Sequence, residues 1–334
     1  MTRRQLQPTR KASHSARTAA AYNLAPRGLT PAERPVRQIA IDDTVPRSTL
    51  EMASVSELDR RRGAVMAHRW TPARMGIVAF VALYLIGILV VPLLALVVET
   101  VRTGGPAVVQ TLRAPEARFA MVQSLWLTLI AVVVNAVFGV AIALVLVRQH
   151  FVGRRALDAI IDLSLAVSPV MIGLAFLLML GRDGWFWPML DALGVRVAFA
   201  FPGLVIATLF VTLPYTVREV ANVLAEVGTD EEEVAWTLGA SSWRTFWRVT
   251  LPNVRSGLLL GISLTAARAL GEFGALLVLG GAIARKTDTA TTYIYSALEE
   301  RNNAGAYGMA LLLGVVSILL LLVIEWFKKR RTAS

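Results

Sequence analysis

The chain contains no cysteine. Disulfides, thiol chemistry and thiolate metal sites are therefore excluded, and nothing marks a redox compartment. Charge is scarce. Of 334 residues, 17% are Asp, Glu, Lys or Arg, against 55% hydrophobic, and the mean hydropathy is +0.58. That balance excludes a soluble domain of this size. The three histidines, His14, His68 and His150, lie outside the apolar runs and not at metal-ligand spacing, so no metal site is expected. There is no glycine-rich loop with a lysine placed to cradle phosphate, and ATP hydrolysis by that chemistry is excluded. The apolar runs hold no HExxH pair or comparable catalytic constellation, which argues against an intramembrane enzyme. No cofactor is implied.

What the chain does have is length of apolar sequence. Six runs, at 77–98, 125–147, 163–180, 197–217, 256–284 and 307–324, are candidates to cross a bilayer as helices. The expectation is an all-α polytopic membrane protein with six transmembrane helices. The third run is the weakest on length and contains Pro169 and Gly173, so flanking residues or packing against protein must complete it. Pro202 and Pro214 fall in the fourth; each is read either as a static kink or as a bend that moves.

The net charge is +11, most of it in a tail before the first run. Residues 1–70 are rich in Pro, Ser, Thr, Ala and scattered Arg, with few aromatics. A nucleic-acid surface would interleave aromatics with its cations, so no nucleic acid is expected. The tail reads as disordered and at most weakly drawn to anionic lipid. It is not a secretory signal, because the first apolar run begins only after about 75 residues and is a full span. Met52 and Met66 are alternative starts. Residues 71–327 form the expected membrane domain, and 328–334, with Lys328, Lys329, Arg330 and Arg331, a short basic tail.

Arg and Lys alternate unequally across these spans. The near N-terminal tail, the loop with Arg148, Arg154 and Arg155, the loop with Arg218, Arg244, Arg248 and Arg255, and the C-terminus carry twice the count of the opposite side. The positive-inside rule places both termini and the fourth-to-fifth loop in the cytoplasm.

That loop, 229–252, is the most informative segment. Thr229 followed by Glu232 has the spacing of a capping box, and Asp230 to Glu233 load the first turn with the charge a helix N-terminus favours. Gly239 after Leu238 can adopt the left-handed conformation that stops a helix. Ser241 or Ser242 can cap a second helix, and Pro252 then ends the segment. Val234, Trp236, Leu238, Trp243, Phe246, Trp247 and Val249 supply apolar surface. A helix pair this short is marginal alone; it lies on lipid headgroups or receives a soluble partner.

The spacing resembles the loop of ABC-importer permeases: Glu-Ala-Ala, three residues, Gly, nine residues, Ile-x-Leu-Pro. Here it is Glu233-Val-Ala235, Gly239 and Val249-Thr-Leu251-Pro252, departing at Val234 and Val249 only. Further blocks are similar to the sulfate/thiosulfate branch, its CysW type in particular: Gly181-Arg-Asp-Gly-Trp185, Phe201-Pro-Gly-Leu204, Thr212-Leu-Pro-Tyr-Thr-Val-Arg-Glu219, Gly228-Thr-Asp-Glu-Glu-Glu233 and Ala267-Arg-Ala-Leu-Gly-Glu-Phe-Gly-Ala275. The last block is shared with molybdate permeases. The resemblance covers roughly residues 70–330 and excludes the tail.

It implies a type I importer permease in a bacterial plasma membrane. Glu233, Ala235, Gly239, Ala240, Leu251 and Pro252 would belong to the loop that couples to a dimer of ATP-binding subunits. A second permease subunit of the CysT type and an extracytoplasmic sulfate-binding protein would complete the complex. The chain itself would be a non-catalytic subunit. Rival readings are a molybdate or other oxyanion permease, and a secondary transporter, although no internal repeat of the kind the latter shows is evident.

Arg268 and Glu272 lie inside the fifth run, four residues apart and thus on one helical face with Thr265. Charges at such depth cost about 2.5–3.5 kcal/mol each unless paired or wetted. Either they form a structural ion pair, or Arg268 lines an anion path that Glu272 keeps from binding too tightly. Gly271 could be a hinge beside them. Gly257 and Gly261 present a small-residue face suited to close helix packing.

Overall fold

The computed structural model describes the backbone of residues 72–332 and the side chains of residues 75–326. The expectations for residues 1–70 lie outside the described residues. Among the described residues all regular structure is helical, and those from Phe80 onward belong to one compact unit.

Helix α1 (Pro72–Leu85) passes through a π-type turn, Ile86–Val90, into α2 (Val91–Thr103). Together they supply a first apolar span, Met75–Thr103, that buries none of its apolar window within this chain. After the short α3 (Gly105–Arg113) comes α4 (Pro115–Arg148), whose 34 residues at about 1.5 Å each outreach a hydrocarbon layer of roughly 30 Å. Its ends therefore stand in the two aqueous faces and orient the rest.

The third expected span is not one helix. Residues 163–180 divide between α5 (Arg154–Ala166) and α6 (Pro169–Leu180), which bend by 116° at Val167–Ser168. Pro169 has no N–H to continue the ladder, and the residue before a proline avoids the helical region. The 12 residues of α6 are too short to cross alone at about 1.5 Å per residue. The sequence offers an unbroken apolar run here; proline geometry overrules it.

Helix α7 (Trp187–Ala192) leads to α8 (Phe201–Val227), the centre of the fold, with 50% of its apolar window buried. Pro202 sits at the first turn of α8, where a missing N–H is harmless. Pro214 lies within α8, which continues through it as one helix. Then follow α9 (Asp230–Thr237), α10 (Ser242–Thr245), a π-type turn at Phe246–Thr250, and α11 (Leu251–Leu270). Pro252 does not end this segment; it occupies the first turn of α11.

The fifth expected span is also broken. The helix Ser242–Leu270 stops at Gly271 and resumes as α12 (Gly274–Gly280) at an angle of 54°. The short α12 packs on α6 at backbone distance: a Cβ at Gly173 would stand 2.8 Å from the Ala275 carbonyl oxygen, and one at Gly274 3.2 Å from the Val170 nitrogen. Counting each bent pair as one crossing gives six spans. Helix α13 (Ala290–Glu299) and α14 (Asn303–Thr332) complete the chain. The backbone of α14 continues helically through most of the expected tail at 328–334.

Two apolar clusters hold the central helices, and a third joins Ala117, Met121, Ala290 and Met309 across α4, α13 and α14. The first central cluster joins Leu127, Ile172, Leu204, Val211 and Leu276 across α4, α6, α8 and α12. The second joins Val140, Leu146, Ile161, Val217 and Val254 across α4, α5, α8 and α11. Between them α4 and α11 close on α8 at Thr216. A Cβ at Gly139 would lie 2.7 Å from Thr216 Cγ2, and one at Gly261 2.8 Å from Thr216 Cα. Gly257 is equally confined, 2.5 Å from the Glu219 carbonyl oxygen. The small face expected at Gly257 and Gly261 is used, and its partner is α8.

Candidate functional site: the 229–252 hairpin and the membrane helix break

The hairpin forms at one end of α4, and its turn is a complete Schellman motif. Gly239 adopts φ 82°; its N–H donates to Trp236 O at 2.9 Å, and Ala240 N–H donates to Ala235 O at 3.0 Å. Ser241 caps α10, its hydroxyl accepting from Arg244 N at 3.4 Å.

The expected capping box does not form. Thr229 Oγ1 donates instead to Glu233 Oε1 at 2.8 Å. Glu232 is turned inward, with its side chain 10% exposed. Its Oε2 meets Arg148 Nε at 3.2 Å, and its Oε1 accepts from Thr250 Oγ1 at 2.9 Å. The Nε contact is ionic rather than an aligned hydrogen bond. Arg148 also donates to the Gly228 carbonyl. On the outer side of the same turn, Asn253 Nδ2 donates to Glu231 Oε2 at 2.6 Å. The acidic turn is thus a clasp. Arg148 ends α4, Thr250 stands at the N-cap of α11 and Asn253 in its first turn, and the first turn of α9 is tied to both helices.

The site residues expected from the sequence divide by exposure. Glu233, Gly239 and Pro252 are exposed, Ala235 and Ala240 half-buried, and Leu251 packs inward on the second apolar cluster. The hairpin also presents Val234, Trp236, Leu238, Trp243 and Trp247 to solvent, Leu238 at 83%. Trp243, Phe246 and Trp247 form a mostly edge-to-face aromatic group with centroids 5.3–6.2 Å apart. Apolar surface left bare on this scale marks a contact with a partner or with lipid.

Beside the hairpin, Arg218 of α8 bridges Asp158 at 2.7 Å and Asp162 at 2.6 Å. This fork holds the amphipathic α5 against the C-terminal half of α8.

Arg268 and Glu272 do pair, Nη1 to Oε2 at 2.6 Å, but not along an unbroken helix. Glu272 lies beyond the end of α11, in the break. Its Oε1 accepts from Ala275 N at 3.0 Å and so satisfies the first turn of α12, while its carbonyl accepts from Thr291 Oγ1 at 2.6 Å. Glu272 is fully buried at 0% side-chain exposure, and Arg268 reaches outward at 27%. Thr265 lies one turn before Arg268 on α11. It is buried between α11 and α8, 3.0 Å from Thr216 Oγ1. Gly271 stands exposed at the end of α11 with φ in the ordinary negative range. No group of three or more His, Asp or Glu among the described residues could hold a metal ion.

Residues 135–332 match the family described as binding-protein-dependent transport system inner membrane component. The chain belongs to that family. It is a multi-pass membrane permease subunit, and the nucleotide-hydrolysing part of such a system is a separate chain. Among curated relatives it is 39% identical to the sulfate transport system permease protein CysW of Synechocystis, over 76% of this chain and 92% of that one. It is 40% identical to the protein of the same name of Escherichia coli K12, over 72% and 83%. The fold is like that of a chain in a bacterial ABC transporter that imports the acidic polysaccharide alginate, with a TM-score of 0.66, 17% identity and coverage of 81% and 97%.

Sequence reasoning located the hairpin, its turn and the intramembrane pair. It missed the inward face of Glu232, its partners Arg148 and Thr250, and the fork at Arg218. A basic residue closing a long apolar run next to an acidic turn is the only available signal, and it does not say which carboxylate turns in.

Proposed function

We propose that this chain is the CysW-type permease of a sulfate/thiosulfate importer, with both termini and the 229–252 hairpin in the cytoplasm of a bacterial inner membrane. A dimer of ATP-binding subunits docks on the hairpin; the exposed Val234, Trp236, Leu238, Trp243 and Trp247 are the surface it covers. A second permease of the CysT type completes the path, and the bare first span supports the need for further helices or lipid around this chain. An extracytoplasmic sulfate-binding protein delivers the anion.

The observation that carries this reading is the clasp under the docking surface. A load applied to α9 passes through Glu232 to Arg148 and Thr250, and through Glu231 to Asn253, hence into α4 and α11 at once. Closure of the ATPase dimer would tilt these helices together. Helix α11 carries that motion to Gly271, where the Arg268–Glu272 pair holds the break shut. In this reading the pair is first a structural brace, since Glu272 is buried and caps α12, and Arg268 alone extends toward a path.

The substrate class rests on the two CysW relatives and on the Ala267–Ala275 block. Because that block also resembles molybdate permeases, molybdate is the second reading. Uptake of radiolabelled sulfate in cells lacking this chain, with molybdate-dependent enzyme activity measured in parallel, separates them. Sulfate uptake restored by the chain only when the ATPase subunit is present supports the proposal. Normal sulfate uptake with lost molybdate-dependent activity transfers the substrate to molybdate.

A further inference from the structure

At the other end of α4 the chain builds a cavity of about 840 Å³, between the end of α6, the 181–184 turn, the 196–200 segment and Lys286. Gln123, near the start of α4, donates to the Lys286 carbonyl at 3.3 Å, which places the cavity opposite the hairpin. We propose that this cavity is the socket for an acidic loop of the extracytoplasmic receptor. The proposal rests on the importer reading above, which puts this end outside.

Charge is the first argument. Arg182, Arg196 and Lys286 line the cavity, with Asp183 as the sole acidic residue among its lining. The imbalance is local. Elsewhere on this face the solvent-accessible charges cancel, with Arg102, Arg113, Arg118, Arg285 and Arg301 set against Glu99, Glu116, Asp191, Glu299 and Glu300. A concave surface of one sign focuses the field and steers a partner of the opposite sign.

Rigidity is the second. Phe199 in the lining, and Ala282 and Arg285 in the segment that leads to Lys286, hold left-handed backbone, at φ 55°, 47° and 58°, a conformation unfavourable for a non-glycine residue. Phe199 is fixed there by its N–H, which donates to Leu279 O at 2.9 Å. At the opposite wall Gly184 is pressed on the end of α6, where a Cβ would come 2.4 Å from the Met179 carbonyl oxygen. Strain of this kind persists where a surface must be ready-made, and a ready-made surface loses less freedom on binding.

Size and lining decide the occupant. At roughly 30 Å³ per water, a single tetrahedral anion fills a small fraction of the cavity and would keep its hydration. Leu177, Leu178, Trp187 and Phe199 give an apolar floor that an inorganic anion cannot use. A loop carrying carboxylates and aliphatic carbon uses both.

The test is receptor-stimulated ATP hydrolysis by the complete complex in nanodiscs, as a function of sulfate-receptor concentration at low and at physiological ionic strength. The triple variant Arg182→Gln, Arg196→Gln, Lys286→Gln is expected to raise the half-saturating receptor concentration about tenfold or more and to flatten its salt dependence. Its hydrolysis without receptor and at saturating receptor should stay as in wild type. The control Arg182→Lys, Arg196→Lys keeps the charge and should keep wild-type saturation. An unmoved half-saturation in the triple variant at low salt overturns the socket. So does unmoved receptor saturation together with loss of radiolabelled sulfate binding to the receptor-free complex, which would make the cavity an anion site. A wild-type complex that no sulfate receptor stimulates overturns the importer reading itself, and the socket with it.

Discussion

Replacing Glu232 with Ala should release the hairpin from the membrane helices without dissolving the fold. The carboxylate is 10% exposed and Arg148 17%. Removing Glu232 strands a nearly buried guanidinium, left with the Gly228 carbonyl as partner, and a Thr250 hydroxyl in a residue 5% exposed. Breaking a fully buried pair on one side costs about 3–5 kcal/mol. The residual exposure of both groups lowers that to roughly 2–3 kcal/mol. The loss should appear as local opening, because α8 and α11 remain locked at Gly257 and Gly261, away from the clasp. At about 1.36 kcal/mol per decade, the opening equilibrium rises roughly 30- to 150-fold. Hydrogen exchange of amides 230–250, in the nucleotide-free complex, should accelerate by that factor while amides of α8 hold steady. The double variant Arg148→Met, Glu232→Leu should be closer to wild type than either single change, since an apolar pair can replace a buried ionic one at little cost. Exchange within twofold of wild type in Glu232→Ala, or additive losses in the double variant, would refute the clasp.

Other outcomes follow from the same geometry. Gly261→Val, which forces methyl groups onto Thr216 Cα, should destabilise the permease by about 1–3 kcal/mol, read as a lower thermal midpoint in detergent, whereas Gly314→Val, with nothing within 4 Å, should not. Gly239→Asp, at φ 82°, should leave the chain in the membrane but weaken co-purification of the ATPase subunit and abolish uptake; normal uptake would count against the docking surface. Arg268→Ala should impair assembly or transport more than Arg268→Ala with Glu272→Ala if the pair is a brace, and equally, with assembly intact, if Arg268 serves the anion directly. Asp288, in the loop before α13, is raised to about 6 from 3.8, mainly by burial, against the opposing hydrogen bonds from Thr292 and Thr289. Its folded form binds the proton more tightly than its unfolded form. Its contribution is therefore present below about pH 4 and is lost as pH rises through 6. Asp288→Asn should remove that loss, raising stability at pH 7 by roughly 2–3 kcal/mol and flattening the thermal midpoint between pH 4 and 6.

The amino-acid sequence determined the features that depend on local order along the chain. Long apolar runs became helices because each span must satisfy its own backbone in lipid. Gly239 ended α9 because the turn there needs a left-handed residue and glycine adopts it freely. The small face at Gly257 and Gly261 was legible from its spacing alone. What tertiary structure decided were the contacts between residues far apart. Four carboxylates stand in the first turn of α9, and composition treats them alike. Glu232 is buried because Arg148, 84 residues earlier, ends α4 at that spot. The third and fifth runs read as continuous, yet Pro169 and the seating of α12 on α6 through Gly173 and Gly274 broke both. Glu272 then became a buried cap on α12 as well as the partner of Arg268. Hydropathy measures whether a segment prefers lipid to water; where the segment bends depends on how closely a neighbouring backbone can approach, and only the packed structure sets that distance.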